Sequence, residues 1–392
     1  MRMEVRATFM RGGTSKGLFF DPADLPADPL ARDRLLLRAI GSPDPYGQQI
    51  DGMGGGSSST SKAALVSRSD RPGYDLDYYS AALPIDAAFV DWSGNCGNLA
   101  AAVAPFAFHR GMLEVPRDGI ALIRIWQVNT ARLIVAHVPF CGGQVQEHGD
   151  FILDGVAFPA AEIRLDFESG PDGPDLFPTG SPTSVIEWSG GVPFEATLID
   201  AGSPTILVHA NALGLTGVET AAEVNANPEL LAKADQMRAH AAVRLGFAAT
   251  PEEVTARYRQ SPKLAYVNRA RDYVTASGTH VDEASIDLVA RTFSMGKLHH
   301  AMTGTGTVAI AAAAAVPNTI VSTITGVRSM VRIGHASGSV PVGAESENED
   351  GWRIRRTSFS RSARILMDGV VFIPVQAPSF GGQSTSHETD IA

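Results

Sequence analysis

The sequence predicts an α+β protein with two similar halves, and three observations support that prediction. Short runs of alternating apolar and polar residues recur along most of the 392 residues, as in half-buried strands. Each half also contains one longer apolar helix, predicted to include 100–104 in the first half and 308–316 in the second. Both helices follow glycine-rich loops, 94–99 and 301–307. A strand-rich chain with one such helix per half is not a doubly wound parallel sheet.

The first half is predicted to be a succession of strands with one amphipathic helix. Pro29 to Ile40 has helical spacing, with leucines on one face and charges on the other. Cys141 follows a predicted strand and is interpreted as structural. Alternation predicts strands near 4–10, 18–20, 63–66, 77–79, 89–92, 120–126, 131–138, 151–153 and 158–167.

The second half begins after a Gly/Pro/Asp-rich loop that starts at Glu168, which predicts domains at 1–183 and 184–392. The last strand could return to the first domain. The segment 286–293 fits either a helix or a strand, and the Ser/Gly/Thr-rich tail 377–392 is expected to fray. Helices are predicted within 221–243, and strands near 197–201, 205–208, 264–267, 340–342, 353–356 and 363–372.

Composition restricts the classes of partner. A net charge of −10 argues against nucleic acid and anionic membrane surfaces, so an anionic substrate needs local positive groups. The longest apolar run is too short to span a bilayer. Two cysteines suit a reducing cytosol, so we expect a cytoplasmic protein; the oligomeric state stays open, with a homodimer as one alternative.

The sequence offers no pattern typical of a metal or nucleotide cofactor. His299, His300 and His335 lack the spacing of metal-ligand motifs, and adjacent histidines point to different sides. A Rossmann glycine fingerprint and a Gly-x-Ser-x-Gly elbow are also missing from the sequence. We therefore expect neither a metal nor a cofactor.

The loop around Cys96 places a thiol where an apolar helix begins. Its Gly and Asn residues allow a tight turn, and the free N–H groups of the helix start bind carboxylates. A cysteine at such a position loses its proton more easily than a free thiol. The alternative is a buried cysteine in an ordinary turn, which the flanking Gly-Asn pairs make less attractive.

Two further loops are rich in hydrogen-bond donors. The Gly/Ser-rich segment 51–61 ends at Lys62, at the mouth of an apolar strand, where burial would lower the lysine pKa toward that of a useful base. It could instead be a flexible linker, but a linker has no need of that lysine. The segment 11–17 combines Arg, Thr, Ser and Lys in a turn that suits an anion or, alternatively, a plain hairpin. Such groups can remove and return a proton next to a conjugated acid without a cofactor.

Six segments make the sequence resemble the PrpF-type isomerases across nearly its whole length. They are RGGTSKG at 11–17, IGSPDPYG at 40–47, DGMGGGSSSTSK at 51–62, WSGNCGN at 92–98, SMGKLHHAM at 294–302 and SRSARILM at 360–367. The resemblance implies the diaminopimelate-epimerase-like fold, in which two α+β domains each curl a sheet around a central helix, with the active site between them. It also implies a cofactor-independent isomerase of unsaturated di- or tricarboxylates.

The family leaves the reaction open between several activities. Its members include 2-methylaconitate cis–trans isomerase, which we favour, as well as aconitate Δ-isomerase, 4-oxalomesaconate tautomerase or Δ-isomerase and methylitaconate Δ-isomerase. The segment 303–307 departs from the pattern of the 2-methylaconitate enzymes, which leaves the substrate open. The non-enzyme alternative is a polycarboxylate-binding protein.

The resemblance also implies roles for individual residues. Lys62 would be the acid/base lysine, and Cys96 a second proton-handling or positioning group. Racemases of this fold use one cysteine from each half, but the second position here falls at Met302 and Thr303, so racemase chemistry is disfavoured. The implied substrate contacts are Arg11, Gly12, Gly13, Thr14, Ser15, Asn95, Gly97, Asn98, Lys263, Ser294, His299, Thr303 and Gly304.

Overall fold

A computed structural model describes residues 2–168, 174–349 and 351–374 of the chain. The helices are α1 (Pro29–Ile40), α2 (Ala100–His109), α3 (Ala210–Leu213), α4 (Ala221–Asn225), α5 (Pro228–Arg244), α6 (Pro251–Arg257), α7 (Gly304–Ala314) and α8 (Ile320–Thr325). The strands of the first half are β1 (Arg2–Gly12), β2 (Ser15–Phe20), β3 (Lys62–Arg68), β4 (Leu76–Ala82), β5 (Gly119–Gln127), β6 (Arg132–Cys141), β7 (Gln144–Val145) and β8 (Ile163–Glu168). The remaining strands are β9 (Ser184–Ile186), β10 (Phe194–Asp200), β11 (Pro204–His209), β12 (Lys263–Arg269), β13 (Tyr273–Val274), β14 (His280–Val281), β15 (Leu288–Ser294), β16 (Lys297–Leu298), β17 (Met330–His335), β18 (Gly338–Asn348), β19 (Trp352–Arg361) and β20 (Ala363–Pro374).

The two halves repeat one sheet topology. In the first half the strands neighbour one another in the order β1-β2-β3-β4-β5-β6-β8, and in the second in the order β10-β11-β12-β15-β17-β18-β19. Along both orders the pairings are antiparallel, parallel, antiparallel, parallel, antiparallel and antiparallel. Each of these seven strands in one half therefore has a counterpart in the other.

The two sheets join into one. The last strand of each repeat, β8 and β19, pair antiparallel from Ile163–Arg361 to Glu168–Arg356. The final strand β20 leaves the second half and pairs with β1 along its whole length. The fold class, α+β with two similar halves, is confirmed, whereas the boundary between residues 183 and 184 stays a prediction.

One buried apolar helix lies inside each curled sheet. In the first half α2 comes between β4 and β5, and in the second half α7 comes between β16 and β17. All of α7 and all of α2 except His109 is buried, and both helices share one core with the inner faces of both sheets. A helix that is apolar on every side is stable only when surrounded. The outer sheet faces are covered by α1 in the first half and by α3, α4 and α5 in the second.

Local sequence explains the bounds of α1. The Asp28 carboxylate accepts a hydrogen bond from Ala31 N at 2.8 Å, which caps the helix start just before Pro29. The helix ends at Gly41, which has a φ of 87° that glycine adopts without strain. The predicted helix over 29–40 is therefore confirmed.

Three predicted strands are wrong or too long. The segment 89–92 contributes only a bridge between Asp91 and Ala82. The segment 151–153 contributes only a bridge between Phe151 and Ala160, and the next strand starts at Ile163 rather than at 158. The ambiguous segment 286–293 is strand β15. The tail 377–392 lies outside the described residues.

Two further observations concern surface and membrane. Cys141, interpreted as structural, is exposed at the end of β6 and, like Cys96, forms no disulfide.

In the part of the chain that the structure describes, no helix has the length and hydrophobicity that crossing a bilayer requires.

Candidate active site

A narrow pocket, called the cavity below, lies where the two halves meet. Both repeats contribute to its wall, through the strand starts at β3 and β12 and through the loops that precede α2 and α7. Its lining residues are Ser15, Lys62, Asn95, Cys96, Gly97, Asn98, Gln260, Lys263, Ser294, His299, Thr303, Gly304 and Thr305.

The N-termini of the two central helices meet backbone to backbone at this cavity. A Cβ on Gly304 would lie 2.7 Å from the carbonyl carbon of Gly97 and 2.9 Å from the amide nitrogen of Asn98. A Cβ on Gly97 would lie 3.1 Å from the carbonyl carbon of Gly304. Only glycine permits this approach, which brings two helix starts to one cavity. Such a place attracts a carboxylate or a developing enolate.

Two buried lysines, Lys62 and Lys263, line the same cavity, and the residues are only 6% and 4% exposed. Lys263 Nζ donates a hydrogen bond to Gln260 O at 3.3 Å. Burial, and then the neighbouring charge of Lys62, lower the pKa of Lys263 to about 8, against the opposing influence of Cys96 and Asp91. A proton on this lysine can therefore be gained or lost near neutral pH.

The Gly/Ser-rich loop before Lys62 is held by hydrogen bonds and is not a linker. The buried Gln49 side chain accepts hydrogen bonds from Gly56 N at 2.9 Å and from Ser61 Oγ at 2.7 Å. Ser59 O accepts a hydrogen bond from Lys16 N in β2. These bonds fix the point at which β3 begins, and so they position Lys62.

Cys96 occupies the first turn of the α2 region. Its carbonyl oxygen accepts the helical hydrogen bond from Ala100 N at 3.0 Å and another from the Tyr78 hydroxyl at 3.3 Å. Its Sγ lies 4.0 Å from Ser15 Oγ. Burial, with Cys96 nearby, raises the pKa of Tyr78 well above its usual value, so the phenol stays neutral. The counterpart of Cys96 in the other half is Thr303, whose side chain caps α7 by accepting from Gly306 N.

Several polar side-chain atoms in the cavity wall are buried without a hydrogen-bond partner. Both polar atoms of the Asn95 amide and both of the Gln260 amide have none, and neither does Thr305 Oγ1. Buried polar groups are almost always satisfied in folded proteins. Unused donors and acceptors that line one cavity are therefore the expected partners of a polar ligand.

His299 is a neutral donor at the cavity. Burial, followed by the influence of His300 and Lys62, holds the pKa of His299 well below its usual range. Its Nδ1 accepts a hydrogen bond from Ala301 N at 3.1 Å, so the proton of the neutral ring is on Nε2. The ring stacks on His300 with centroids 4.7 Å apart.

The loop 11–14 lies behind the cavity wall. Arg11 Nη1 donates to Gly13 O and to Ser362 O at 3.1 and 2.9 Å, and neither Arg11 nor the Gly12-Gly13-Thr14 turn lines the cavity. Thr14 Oγ1 accepts a hydrogen bond from Asn98 Nδ2 at 3.0 Å. Of the loop 11–15, the structure brings only Ser15 to the cavity.

The Asn98 side chain bridges the two halves. Its Nδ2 also donates to Met302 O at 3.2 Å, and its Oδ1 accepts from Arg361 Nε at 2.8 Å. These bonds use both polar atoms of the Asn98 side chain, so the group of Asn98 that could bind a ligand is its backbone N–H. Burial lowers the pKa of Arg361 to about 9, and this buried cation adds positive potential behind the Cys96 loop.

Sequence reasoning missed Gln260, Thr305 and Arg361. Thr305 lies in the second glycine-rich loop and Arg361 in one of the segments that carry the family resemblance, so the sequence could have indicated both as site residues. Nothing in the neighbouring sequence of Gln260 distinguishes it from other loop glutamines, so the sequence could not have indicated it. Within the described ranges, no group of three His, Cys, Asp or Glu side chains is arranged to hold a metal ion.

Comparisons with known proteins find matches that cover nearly the whole chain. The sequence model of the family described as "PrpF protein" matches residues 2–374. A relative from Cupriavidus necator, named 2-methyl-aconitate isomerase, is 48% identical, with 96% of this chain and 98% of the relative covered. The crystal structure of a methylitaconate-delta-isomerase is 37% identical, with a TM-score of 0.73 over 95% of this chain and 96% of that one.

A more distant structure shares the fold alone. A probable proline racemase from Agrobacterium radiobacter K84 has a TM-score of 0.51 at 13% identity, over 96% of this chain and 94% of that one. The two-domain architecture is thus common to proteins whose sequences have diverged widely.

Proposed function

The chain belongs to the PrpF family, and we propose that it is a cofactor-independent isomerase of an unsaturated tricarboxylate, with 2-methylaconitate as substrate and cis–trans exchange as the net reaction. The observation that carries the proposal is the cavity wall, where two buried lysines and unpartnered amides surround the meeting point of two helix N-termini. We further propose a cytoplasmic location, which suits two free cysteines.

The cavity supplies two kinds of group that such a substrate needs. Carboxylates would be held by the backbone N–H groups at Gly97 and Gly304, by Asn95 and Gln260, and by the neutral His299. The charge of Lys263 would offset the charge of the anion inside an acidic protein. Because the donors are in place before the substrate binds, they can stabilise an enolate without rearranging.

Lys62 would perform the proton transfer. Its neutral amine takes a proton from the substrate carbon activated by conjugation to the carboxylated double bond, and the electron pair delocalises into a dienolate. The N–H groups of the α2 start hold the developing negative charge. Rotation in the delocalised intermediate before the proton returns gives cis–trans exchange, whereas return at the remote carbon gives a shifted double bond.

The choice of substrate rests on the relatives. The relative named for 2-methylaconitate is more similar to this chain than the one named for methylitaconate, and both are similar over full length. The alternatives are aconitate, oxalomesaconate and methylitaconate, which share the conjugated polycarboxylate. A panel of the four acids, followed by proton NMR in deuterated water, ranks them by kcat/KM. A polycarboxylate-binding protein would give line broadening with neither isomerisation nor exchange.

Replacement of Lys62 tests the mechanism. Lys62→Ala should lose turnover and solvent exchange by at least about a hundredfold to ten-thousandfold, the usual worth of a general base. Lys62→Arg should be nearly as inactive, because a guanidinium stays protonated. The measurements are product formation and deuterium incorporation by NMR, with binding of trans-aconitate by calorimetry as the check on folding.

The matched control is Lys297→Ala, which removes an exposed lysine of β16 that does not line the cavity. It should keep wild-type kinetics. A folded Lys62→Ala protein that exchanged substrate protons at close to the wild-type rate would overturn the mechanism.

A further inference from the structure

Lys62 and Lys263 occupy equivalent positions of the internal repeat. Lys62 is the first residue of β3 and Lys263 the first residue of β12, the third strands of the two repeated sheets. Each of these strands runs parallel to the second strand of its repeat and antiparallel to the fourth. Along all seven residues the two strands show the same sequence of buried, intermediate and exposed positions. The repeat therefore places one lysine from each half at the shared cavity.

A lysine is present at this position in both halves, whereas a cysteine is present at the helix start of only one half. At the helix starts the repeat places Cys96 in one half and Thr303 in the other, and a threonine hydroxyl is too weakly acidic to exchange protons near neutral pH. The Gly97–Gly304 contact lies between the halves, so counterparts in the repeat approach the cavity from opposite sides. A ligand in the cavity would therefore have Lys62 on one side and Lys263 on the other.

The surroundings of Lys263 suit a group that changes its protonation state. Its ammonium forms one hydrogen bond, to Gln260 O, and among the described residues it has no ion-paired carboxylate. The charged and titratable groups that influence it are Lys62, Cys96 and Asp91. The Asp91 carboxylate is already engaged by the backbone N–H groups of Arg259 and Gln260.

We propose that Lys263 is a second proton-transfer residue, which exchanges a proton with the substrate on the side opposite to Lys62. The inference rests on the proposed isomerase function and adds a second proton carrier to it. In one direction Lys62 takes a proton from the substrate carbon and becomes an ammonium, while the C–H electron pair enters the dienolate. The Lys263 ammonium then gives a proton to the dienolate, a new C–H bond forms, and Lys263 is left as the amine.

The reverse reaction uses the same two lysines in exchanged roles. After one forward turnover Lys62 carries the extra proton and Lys263 lacks one, and exchange with solvent restores the starting state. The proton that enters the product is therefore never the one that left the substrate. This consequence distinguishes the two-lysine mechanism from a one-lysine mechanism, because a single lysine can return to the substrate the same proton that it removed.

The wild-type enzyme tests this with a substrate deuterated at the reacting carbon. In ordinary water, two-lysine transfer predicts a product with one deuterium fewer than the substrate from the earliest turnovers, because the deuterium that Lys62 removes is replaced by a proton from Lys263; mass spectrometry measures this loss. A product that kept the full deuterium content of the substrate would contradict the proposal. This measurement needs no substitution, so it does not depend on the folding of a variant.

Two substitutions at Lys263 separate proton transfer from charge. Lys263→Met removes both, whereas Lys263→Arg keeps a cation that cannot give up its proton. We expect Lys263→Arg to bind trans-aconitate within about tenfold of wild type and to lose kcat by about a hundredfold or more, while Lys62 still catalyses exchange of substrate protons with solvent. Rescue of kcat by arginine, or loss of exchange together with turnover in both variants, would overturn the proposal.

The pH profile is a further readout. Lys263 with a pKa of about 8 carries its proton below that pH and loses it above, so kcat/KM in the direction that uses Lys263 as acid should fall above pH 8. A wild-type profile that stays flat through pH 9 would contradict this. Failure of the proposed function looks different, because the wild-type enzyme itself would then neither exchange nor isomerise any of the four acids.

Discussion

At the scale of single residues, burial determines which groups around the cavity are charged. The imidazole of His299 is neutral, so it serves as a hydrogen-bond donor through Nε2 and adds no charge. His335, whose pKa burial and nearby Arg291 lower to about 3, is neutral as well. The positive charge available to an anion therefore comes from Lys263 and the deeper Arg361.

Cys96 is the residue whose role a single substitution decides. It lines the cavity, but Thr303 occupies the same place in the other half without a thiol. We predict that Cys96 positions the substrate, so Cys96→Ser should keep measurable turnover, within about a hundredfold of wild type. The steady-state rate and the affinity for trans-aconitate are the quantities to measure.

Cys141→Ser is the matched control, since that thiol is exposed at the end of β6 and far from the cavity wall. It should leave the kinetics unchanged. If a folded Cys96→Ser variant bound trans-aconitate and yet turned over several orders of magnitude more slowly, the thiol would be an essential proton carrier instead.

At the scale of elements, the two central helices act as a pair. Apart from His109, each is buried on all sides, and each begins where the other begins. Gly97 and Gly304 make this possible because they leave no side chain between the two backbones. An anion held there interacts with two helix starts rather than one.

Gly304→Ala tests the contact between the helix starts. Its methyl group would meet backbone atoms of Gly97 and Asn98 at 2.7 to 2.9 Å, which cannot move as a side chain can. We expect the free energy of unfolding to fall by about 1–3 kcal/mol and trans-aconitate binding to weaken. Denaturant unfolding and calorimetry measure the two effects.

Gly369→Ala is the control, because a methyl group at that position in β20 meets nothing within 4 Å. Its unfolding free energy should change by less than about 0.5 kcal/mol. Equal stability and equal binding in both variants would show that the two helix starts do not constrain each other.

At the scale of the whole molecule, the cavity depends on contacts between the halves. The β8–β19 pairing joins the sheets, and the buried Asp91 fastens a loop of the second half to the first. Asp91 Oδ2 accepts the backbone N–H groups of Arg259 and Gln260, both at 2.7 Å, while Oδ1 accepts from Ser93. That loop carries Gln260 to the cavity and leads directly to Lys263.

Asp91→Asn should loosen this junction. An amide offers one acceptor oxygen, so at least one set of N–H donors would face an NH₂ group. We expect about 1–3 kcal/mol less unfolding free energy and a raised KM, because the loop that presents Gln260 and Lys263 is less fixed. Thermal unfolding and steady-state kinetics provide both values.

Asp86→Asn, which removes an ion pair with Arg259 on the same loop, is the control. The Asp86 side chain is 66% exposed, and exposed ion pairs contribute less than about 1 kcal/mol to the free energy of unfolding. A larger effect from Asp86→Asn than from Asp91→Asn would mean that the surface pair, not the buried carboxylate, holds the loop.

Much of the fold follows from local pattern. The helix over 29–40, the apolar helices after the two glycine-rich loops and most strands could be predicted because periodicity and capping are properties of neighbouring residues. The same holds for Lys62 and Cys96, each of which stands at the end of a distinctive loop. At 89–92 the alternation predicted a strand, but only Asp91 pairs with a neighbouring strand, while its carboxylate binds a loop of the other half.

The sequence alone therefore determined the elements, their repetition and the loops that face the cavity. Only the tertiary structure decided that Lys263 and Lys62 line one cavity, that Gln260 lines it as well, and that the Arg11–Thr14 turn does not. The physical reason is distance along the chain. Contacts between residues about two hundred positions apart depend on how two sheets pair and two helices meet, and no local periodicity encodes that meeting.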